Sequence, residues 1–269
     1  MPSLKHFKFW FSSRPEFIIS ITIGENGPTL REGKAERTKR SAHPRFHRVS
    51  KFDKYDLLLT NHSYRHENII QYKESFFDDA SKSLCLVMEL CDGGDILNAI
   101  ESYKKNNGNF PEQRLWRYLV QLMQGLKTLH DNDIVHRDIK SANLFVMRGS
   151  DGQPDQIKLG DLNVSKVAKG VLLQTQTGTP YYASPEVWKD LPYDAKSDIW
   201  SAGCVIFEMA ALRPPFAAQD MQQLYKRVTG GHYSRIPTGY SSDLNDVIRM
   251  MLRTEPKDRP SCGQILKLP

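Results

Sequence analysis

The chain is poor in cysteine, and the few cysteines do not form pairs. The four are scattered at Cys85, Cys91, Cys204 and Cys262. Because no C-x-x-C pair occurs, the sequence argues against a disulfide framework or a zinc ribbon and predicts a reducing compartment. The eight histidines show no H-E-x-x-H spacing, so a zinc-protease type of site is not expected either.

Long apolar runs are also absent. No stretch of about 18 apolar residues occurs, so no transmembrane helix is expected. Residues 17–23 are apolar, but no small-residue cleavage site follows them, so no signal peptide is expected. The 269 residues are 39% hydrophobic and 25% charged. These values are typical of a globular protein with one large domain or two smaller lobes.

The net positive charge belongs to one end of the chain. Residues 1–54 hold 12 Lys or Arg and 5 Asp or Glu, a net charge of +7, whereas residues 55–269 hold 25 and 26, a net charge of −1. This basic N-terminal arm, residues 1–54, is either a solvated segment or a binding surface for nucleic acid or an acidic membrane. No aromatic stacking pattern accompanies the basic run, so we favour the solvated arm and do not expect a nucleic-acid partner.

Apolar periodicity predicts strands followed mostly by helices. Strands are predicted at residues 17–23, 68–73, 83–90, 143–148 and 156–160. Helices are predicted from residue 112 to a break at 131–133, and at residues 198–212, 219–228 and 241–253. Asp95 follows a Gly-Gly turn and can cap a helix that begins there. Strands first and helices later predict an α+β protein with two lobes.

The stretch 136–143, His-Arg-Asp-Ile-Lys-Ser-Ala-Asn, carries the strongest chemical signal. Lys140 lies two residues and Asn143 five residues after Asp138, and Asp161 follows 18 residues after Asn143. Phosphoryl transfer needs a carboxylate near the attacking hydroxyl, a cation on the phosphate and oxygen ligands for Mg²⁺. A single Asp could be a helix cap or a turn residue, but the ordered set favours the chemical interpretation.

This order of motifs resembles the protein kinases, and in particular the NIMA-related kinases. The subfamily resemblance rests on Phe145, the run 178–186 (Gly-Thr-Pro-Tyr-Tyr-Ala-Ser-Pro-Glu), residues 197–200 and residues 214–216. It covers about residues 64–269 and implies an α+β, two-lobed kinase-like fold with an atypical or incomplete N-terminal lobe. Residues 1–54 would be an atypical basic segment, 55–90 the rest of the small lobe, and 91–269 the helical large lobe.

The resemblance implies a serine/threonine protein kinase that uses ATP and Mg²⁺. Asp138 would be the catalytic base, and Lys140 would stabilise the γ-phosphate. Asn143 and Asp161 would be the Mg²⁺ ligands.

It also implies a set of nucleotide contacts. Met88 would gate the back of the adenine pocket, the backbone of Glu89 and Cys91 would meet adenine, and Phe145 would form its floor. Asp95 would either reach the ribose or cap a helix.

Regulatory and structural positions follow from the same resemblance. Arg137 would pair with a phosphate on Thr175, and Thr179 would hydrogen-bond Asp138 and Lys140. Three residues would have structural roles. Glu186 and Arg259 would form a buried ion pair, and Asp198 would lie beneath the 136–143 loop.

Two departures from the kinase pattern are visible. Asp161-Leu162-Asn163 stands in place of Asp-Phe-Gly, which keeps the carboxylate. More seriously, no G-x-G-x-x-G and no V-A-I-K occur before residue 55, so neither the lid over ATP nor its lysine is recognisable. Lys34 and Lys39 are candidates for that lysine, but neither lies in an apolar strand.

Two functions therefore remain in view. The first is an active serine/threonine kinase with protein substrates, and the second is a weak or inactive pseudokinase that serves as a scaffold. NIMA-related kinases often act at microtubules, centrosomes and cilia, so the resemblance implies a cytoplasmic location with cytoskeletal or ciliary partners.

Overall fold

The computed structural model describes most of the chain beyond residue 64 and three strands before it. The described residues are 8–11, 16–24, 27–30, 65–78, 83–149, 153, 155–160 and 180–269. Their side chains are described from residue 65 onward, except at 75–78, 83, 84 and 86. Asp161, Thr175 and Thr179 lie outside this part of the chain. The described residues divide into two compact units.

The first unit is a five-stranded antiparallel sheet. Its strands are β1 (Lys8–Phe11), β2 (Glu16–Gly24), β3 (Gly27–Leu30), β4 (Tyr72–Asp78) and β5 (Ser83–Glu89). Their order is β1-β2-β5-β4, with β3 also paired to β2. The strands predicted at residues 17–23 and 83–90 are confirmed, since the β-branched and apolar residues of both suit a pleated sheet.

The strand predicted at 68–73 is wrong in position, because β4 begins only at Tyr72. Asn68 instead belongs to a turn, in which its backbone N–H donates to His66 Nδ1 at 3.0 Å. Its side-chain amide donates to the Ile157 carbonyl at 3.0 Å. Ile69 likewise belongs to the second unit, where it forms an isolated bridge with Leu159.

The second unit contains His66–Ile69 and the described residues from Cys91 onward. Its helices are α1 (Ile96–Lys105), α2 (Glu112–His130), α3 (Pro185–Trp188), α4 (Ala195–Ala211), α5 (Met221–Gly230), α6 (Ser242–Met251) and α7 (Cys262–Ile265). A hairpin is formed by β6 (Leu144–Met147) and β7 (Gln156–Leu159). None of the helices in the described part of the chain is long and apolar enough to cross a membrane.

The core of the second unit is built around α2 and α4. The buried stripe of α2 follows the predicted three- and four-residue steps, at Leu115, Tyr118, Leu119, Leu122, Met123, Leu126 and Leu129. Helix α4 is buried over nearly its whole surface, as a central helix without a polar face must be. It begins at Ala195, three residues before the predicted start, because Asp194 and Ser197 form a capping box.

Gly125 lies where α2 packs closely against the β6–β7 hairpin. A Cβ there would lie 2.6 Å from Leu159 Cδ1 and 2.9 Å from the Asn68 carbonyl oxygen. That carbonyl cannot retreat freely, because it accepts a hydrogen bond from Leu159 N at 2.8 Å.

Gly125→Ala is therefore expected to destabilise the protein by about 1–3 kcal/mol through overpacking, although alanine is the better helix former by roughly 1 kcal/mol. The measurement is urea denaturation. Gly239→Ala is the matched control, because a Cβ at Gly239 meets no atom within 4 Å. If Gly125→Ala and Gly239→Ala had the same free energy of unfolding, the close contact of Gly125 with Leu159 and Asn68 would be contradicted.

Candidate functional site

The 136–143 loop joins α2 to β6 and draws three of the predicted residues together. Lys140 Nζ donates to Asp138 Oδ2 at 3.0 Å, and Asn143 Nδ2 donates to the same oxygen at 3.1 Å. Asn143 Nδ2 also donates to the Asp138 carbonyl at 2.8 Å, which closes the loop on itself. The Asp138 and Lys140 side chains keep 10% and 24% of their surfaces exposed, so the cluster lies at the edge of the core and can be reached from solvent.

Asp198 on α4 holds the start of this loop from beneath. Its carboxylate accepts from the backbone N–H of His136 at 2.9 Å and of Arg137 at 3.0 Å. Arg137 has a φ of 69°, a left-handed conformation that costs a side-chain-bearing residue roughly 1–2 kcal/mol. Asp198 is fully buried and offsets that strain by holding the two amides. Burial alone would raise its pKa, but the hydrogen bonds that the carboxylate accepts, from the His130 side chain first and from the His136 backbone, leave the pKa below its ordinary value.

His136 fastens the other side of the loop to the end of β7. Its Nε2 donates to the Gly160 carbonyl at 3.0 Å, and Gly160 N donates back to the Asn143 carbonyl at 2.9 Å. Because Nε2 carries the proton, Nδ1 is the acceptor that receives Asp138 N at 3.3 Å. Gly160 directly precedes Asp161 in the sequence, so the loop is bonded to the residue before the predicted second metal ligand, which itself lies outside the described residues.

A buried hydroxyl network links the loop to residues that were missed by sequence reasoning. Glu208 on α4 accepts at Oε2 from Ser141 Oγ at 2.5 Å and from the Tyr182 hydroxyl at 2.7 Å. Burial, and then the Glu208 carboxylate, raise the pKa of Tyr182 well above its ordinary value, so the phenol stays protonated and donates. The sequence signal for this network is a Glu on the mostly apolar surface of the predicted helix 198–212.

Glu186 and Arg259 meet as a two-pronged ion pair, as the resemblance implied. Arg259 Nη1 and Nη2 each lie 2.7 Å from one oxygen of Glu186, and both residues are buried. Ser197 Oγ donates to Glu186 at 2.5 Å. The guanidinium lies 5.1 Å over the ring of Trp200, a favourable place for a cation. The pair thus joins α3, α4 and the segment that precedes α7 around one desolvated contact.

The predicted nucleotide contacts fall in both units. Met88 and Glu89 end β5 in the first, while Cys91, Asp95 and Phe145 belong to the second. Asp95 caps α1, as the turn before it predicted, and both of its oxygens accept from Asn98 at 2.7 Å. Its backbone forms an antiparallel bridge with Phe145 on β6.

The sequence of the chain is similar to that of a known protein family. The family model described as "Protein kinase domain" matches residues 55–269. The probable serine/threonine-protein kinase nek2 of Dictyostelium discoideum is 39% identical over 206 residues, which are 75% of this chain and 48% of that protein. Serine/threonine-protein kinase Nek3 of Oryza sativa subsp. japonica is 38% identical over 87% of this chain and 37% of its own length.

Human serine/threonine-protein kinase Nek5 is 38% identical over 76% of this chain and 28% of its own length. The chain therefore spans about half or less of the length of these curated relatives. The matched part includes the 136–143 loop and the Glu186–Arg259 pair, and the relatives share the NIMA-related (Nek) name. The chain belongs to the protein kinase family, in its NIMA-related serine/threonine branch.

Proposed function

We propose that the chain is a catalytically active kinase domain that transfers the γ-phosphoryl group of ATP to serine or threonine hydroxyls of protein substrates. One observation carries this proposal: Lys140 Nζ and Asn143 Nδ2 converge on a single oxygen of Asp138, at 3.0 and 3.1 Å. A scaffold has no chemical need for a carboxylate, an ammonium and an amide at these distances, whereas phosphoryl transfer uses all three.

Asp138 accepts the proton of the substrate hydroxyl as that oxygen attacks phosphorus. The two donors on its Oδ2 hold the carboxylate in one orientation. Lys140 is close enough to exchange its contact with Asp138 for one with a phosphoryl oxygen. Positioning and charge stabilisation of this kind supply nearly all of the catalysis in phosphoryl transfer.

The donor set suits a hard cation. Asn143 uses its Nδ2 on Asp138, which leaves the amide carbonyl oxygen as its ligand atom, and Asp161 would contribute a carboxylate. Oxygen ligands of this kind are those that Mg²⁺ takes. When bound, Mg²⁺ neutralises charge on the phosphate oxygens.

ATP would meet the residues that the kinase resemblance assigns to it. Glu89 N already donates to the Gln71 carbonyl at 2.9 Å, so Glu89 would offer adenine its own carbonyl oxygen, and Cys91 its N–H. Met88 and Phe145 would supply apolar contacts. A ribose contact for Asp95 has less support, because Asn98 already occupies both carboxylate oxygens.

Activation would follow phosphorylation of Thr175. The Arg137 guanidinium would pair with that phosphate, which brings a charge of about −2 and several acceptor oxygens. Thr179 would bond Asp138 and Lys140 to shape the substrate site. We further propose cytoplasmic protein substrates, with cytoskeletal or ciliary association as the family-level expectation.

The test is a phosphotransfer assay with γ-labelled ATP, Mg²⁺ and a generic Ser/Thr protein substrate, run beside a thermal-shift assay. We expect label on serine or threonine, and a Tm that rises with Mg-ATP, because a ligand of the native state stabilises it by mass action. A Tm shift without transfer would indicate a nucleotide-binding pseudokinase. Neither shift nor transfer would indicate the scaffold, the function that the missing lid and lysine favour.

A further inference from the structure

An apolar patch lies on the surface of the second unit where α3 meets α5. Its members are Trp188 on α3, Leu191 just beyond that helix, and Met221 and Tyr225 on α5. The Trp188 and Tyr225 rings meet edge to face, with their centroids 6.1 Å apart. Met221 precedes Tyr225 by four residues, so the two side chains are neighbours on one face of α5. We call these four residues the α3–α5 patch.

The grouping of these side chains sets them apart from ordinary surface residues. Leu191, Met221 and Tyr225 keep 55%, 52% and 39% of their surfaces exposed. The other large apolar side chains that are exposed in the described part of the chain lie singly on α1, on α2 and after α7, at Leu97, Val120 and Leu268. Single exposed apolar residues are normal in a monomer, whereas a group of them with a polar rim marks an interaction site.

The composition of the α3–α5 patch is that of a protein interface. Tryptophan, tyrosine and methionine are enriched at the centres of such interfaces, and the two aromatic residues carry a large share of the binding energy there. Trp188 is partly buried against the core of the second unit, so its ring is already held in place before a partner arrives. Methionine, with its flexible side chain, fits its shape to the surface it meets.

The charges at the rim of the patch indicate which partner it fits. Lys189 and Asp190 lie side by side and exposed after α3, while Asp220 and Lys226 lie exposed at the two ends of α5. The next cation, Arg227, already donates to a backbone carbonyl. Two positive and two negative groups give the rim no net charge, so it does not select a strongly acidic or a strongly basic partner. A second copy with its α5 antiparallel sets the acidic end of one helix beside the basic end of the other.

We propose that the α3–α5 patch is a self-association surface, on which two copies of this chain pack about a twofold axis with their α5 helices antiparallel. The apolar side chains of each copy cover those of the other, and the rim charges pair across the axis. Because α3 begins within the run 178–186, the second copy lies beside the segment assigned above to the substrate site. The association itself does not depend on phosphotransfer.

The size of the patch predicts a weak association. Stable dimers bury about 800 Å² of each partner, with roughly 20–30 residues on each side. Four apolar side chains and their rim form a smaller contact, so we expect a dissociation constant on the order of 10–100 µM. The dimer therefore forms by mass action as the protein is concentrated.

The first test measures the mass of the 269-residue chain in solution by sedimentation velocity, at concentrations from about 1 µM to about 500 µM. Wild type should pass from monomer to dimer over this range. Met221→Lys should raise the dissociation constant about tenfold or more, because it places an ammonium group in an apolar contact. Val120→Lys is the matched control, since it makes a similar change at an exposed apolar residue of α2, outside the patch, and should associate as wild type does.

A wild-type chain that stays monomeric over the whole range would overturn the proposal and leave the patch to a different protein. A dimer that Met221→Lys does not weaken would overturn it too, because the contact then lies elsewhere. The same holds for a dimer that Val120→Lys weakens equally, since that association would not be specific to the patch.

The second test locates the interface by comparing amide chemical shifts of the wild-type chain in dilute and concentrated samples. We expect the shifts that change to belong to α3, residues 189–191 and α5, while those of α2 stay the same. Changes confined to other parts of the chain would overturn the proposal even if a dimer forms. This measurement uses no variant, so it decides the matter even if Met221→Lys does not fold. Neither test requires phosphotransfer, so a failure of the proposed function is distinguishable from a failure of this one.

Discussion

Asp138→Asn is expected to lower kcat about a thousandfold, within the range that loss of a proton-accepting group produces. Asparagine has the shape of aspartate but does not accept the hydroxyl proton. Its amide would also present a donor, or a neutral oxygen, to Lys140 Nζ, which now lies 3.0 Å from a charged oxygen. The measurement is the rate of label transfer from γ-labelled ATP at saturating Mg-ATP.

The same variant should remain folded, with a Tm within a few degrees of wild type, because its backbone contacts with His136 and Asn143 do not use the carboxylate charge. Asp246→Asn is the matched control. It makes the same chemical change on α6, where the Asp246 side chain is 55% exposed, and should leave both rate and Tm unaltered. Equal transfer by wild type and Asp138→Asn would rule out the proposed base.

Glu186→Gln is expected to cost about 3 kcal/mol of unfolding free energy, because it leaves the Arg259 cation buried without its counter-charge. Arg259 retains bonds to three backbone carbonyls, those of Lys196, Arg253 and Thr254, which places the loss at the lower end for a broken buried pair. The measurement is urea denaturation, and for a chain of this size the Tm should fall by about 10 °C.

Glu101→Gln is the control for this change. Glu101 pairs with Lys104 at the same 2.7 Å, but the two side chains are 59% and 41% exposed, so the expected cost is at most about 0.5 kcal/mol. If the two substitutions had the same cost, the Glu186–Arg259 pair would contribute no more than a surface contact.

The Glu186–Arg259 pair also leads to a prediction of how the free energy of unfolding depends on pH. Burial raises the pKa of Glu186, but hydrogen bonds from Arg259 and Ser197 outweigh burial and leave the pKa below its ordinary value. A lowered carboxyl pKa contributes stability that is present above the unfolded value of about 4.3 and is lost as pH falls through the folded value. Wild type should therefore lose more stability than Glu186→Gln below about pH 4, and parallel pH curves would contradict this origin.

Local sequence patterns predicted much of the secondary structure of the second unit. The apolar steps of α2, the strands β6 and β7 and the Asp95 cap each depend on residues that are close in sequence, at most 15 positions apart for the β6–β7 pairing, and each is confirmed. The α+β class is confirmed as well. The strand predicted at 68–73 failed because Asn68 bonds to Ile157, 89 residues away, and no local pattern contains that partner.

The sequence by itself determined which chemical groups the site contains. They are a carboxylate, a cation two residues after it and an amide five residues after it, which one short loop must bring together. Only the tertiary structure decided what holds that loop. Asp198 and Glu208 reach it from α4, 61 to 67 residues further along the chain, and their meeting depends on how α2 and α4 bury their apolar faces. Such contacts form because the burial of a core orients side chains that have no relation along the chain.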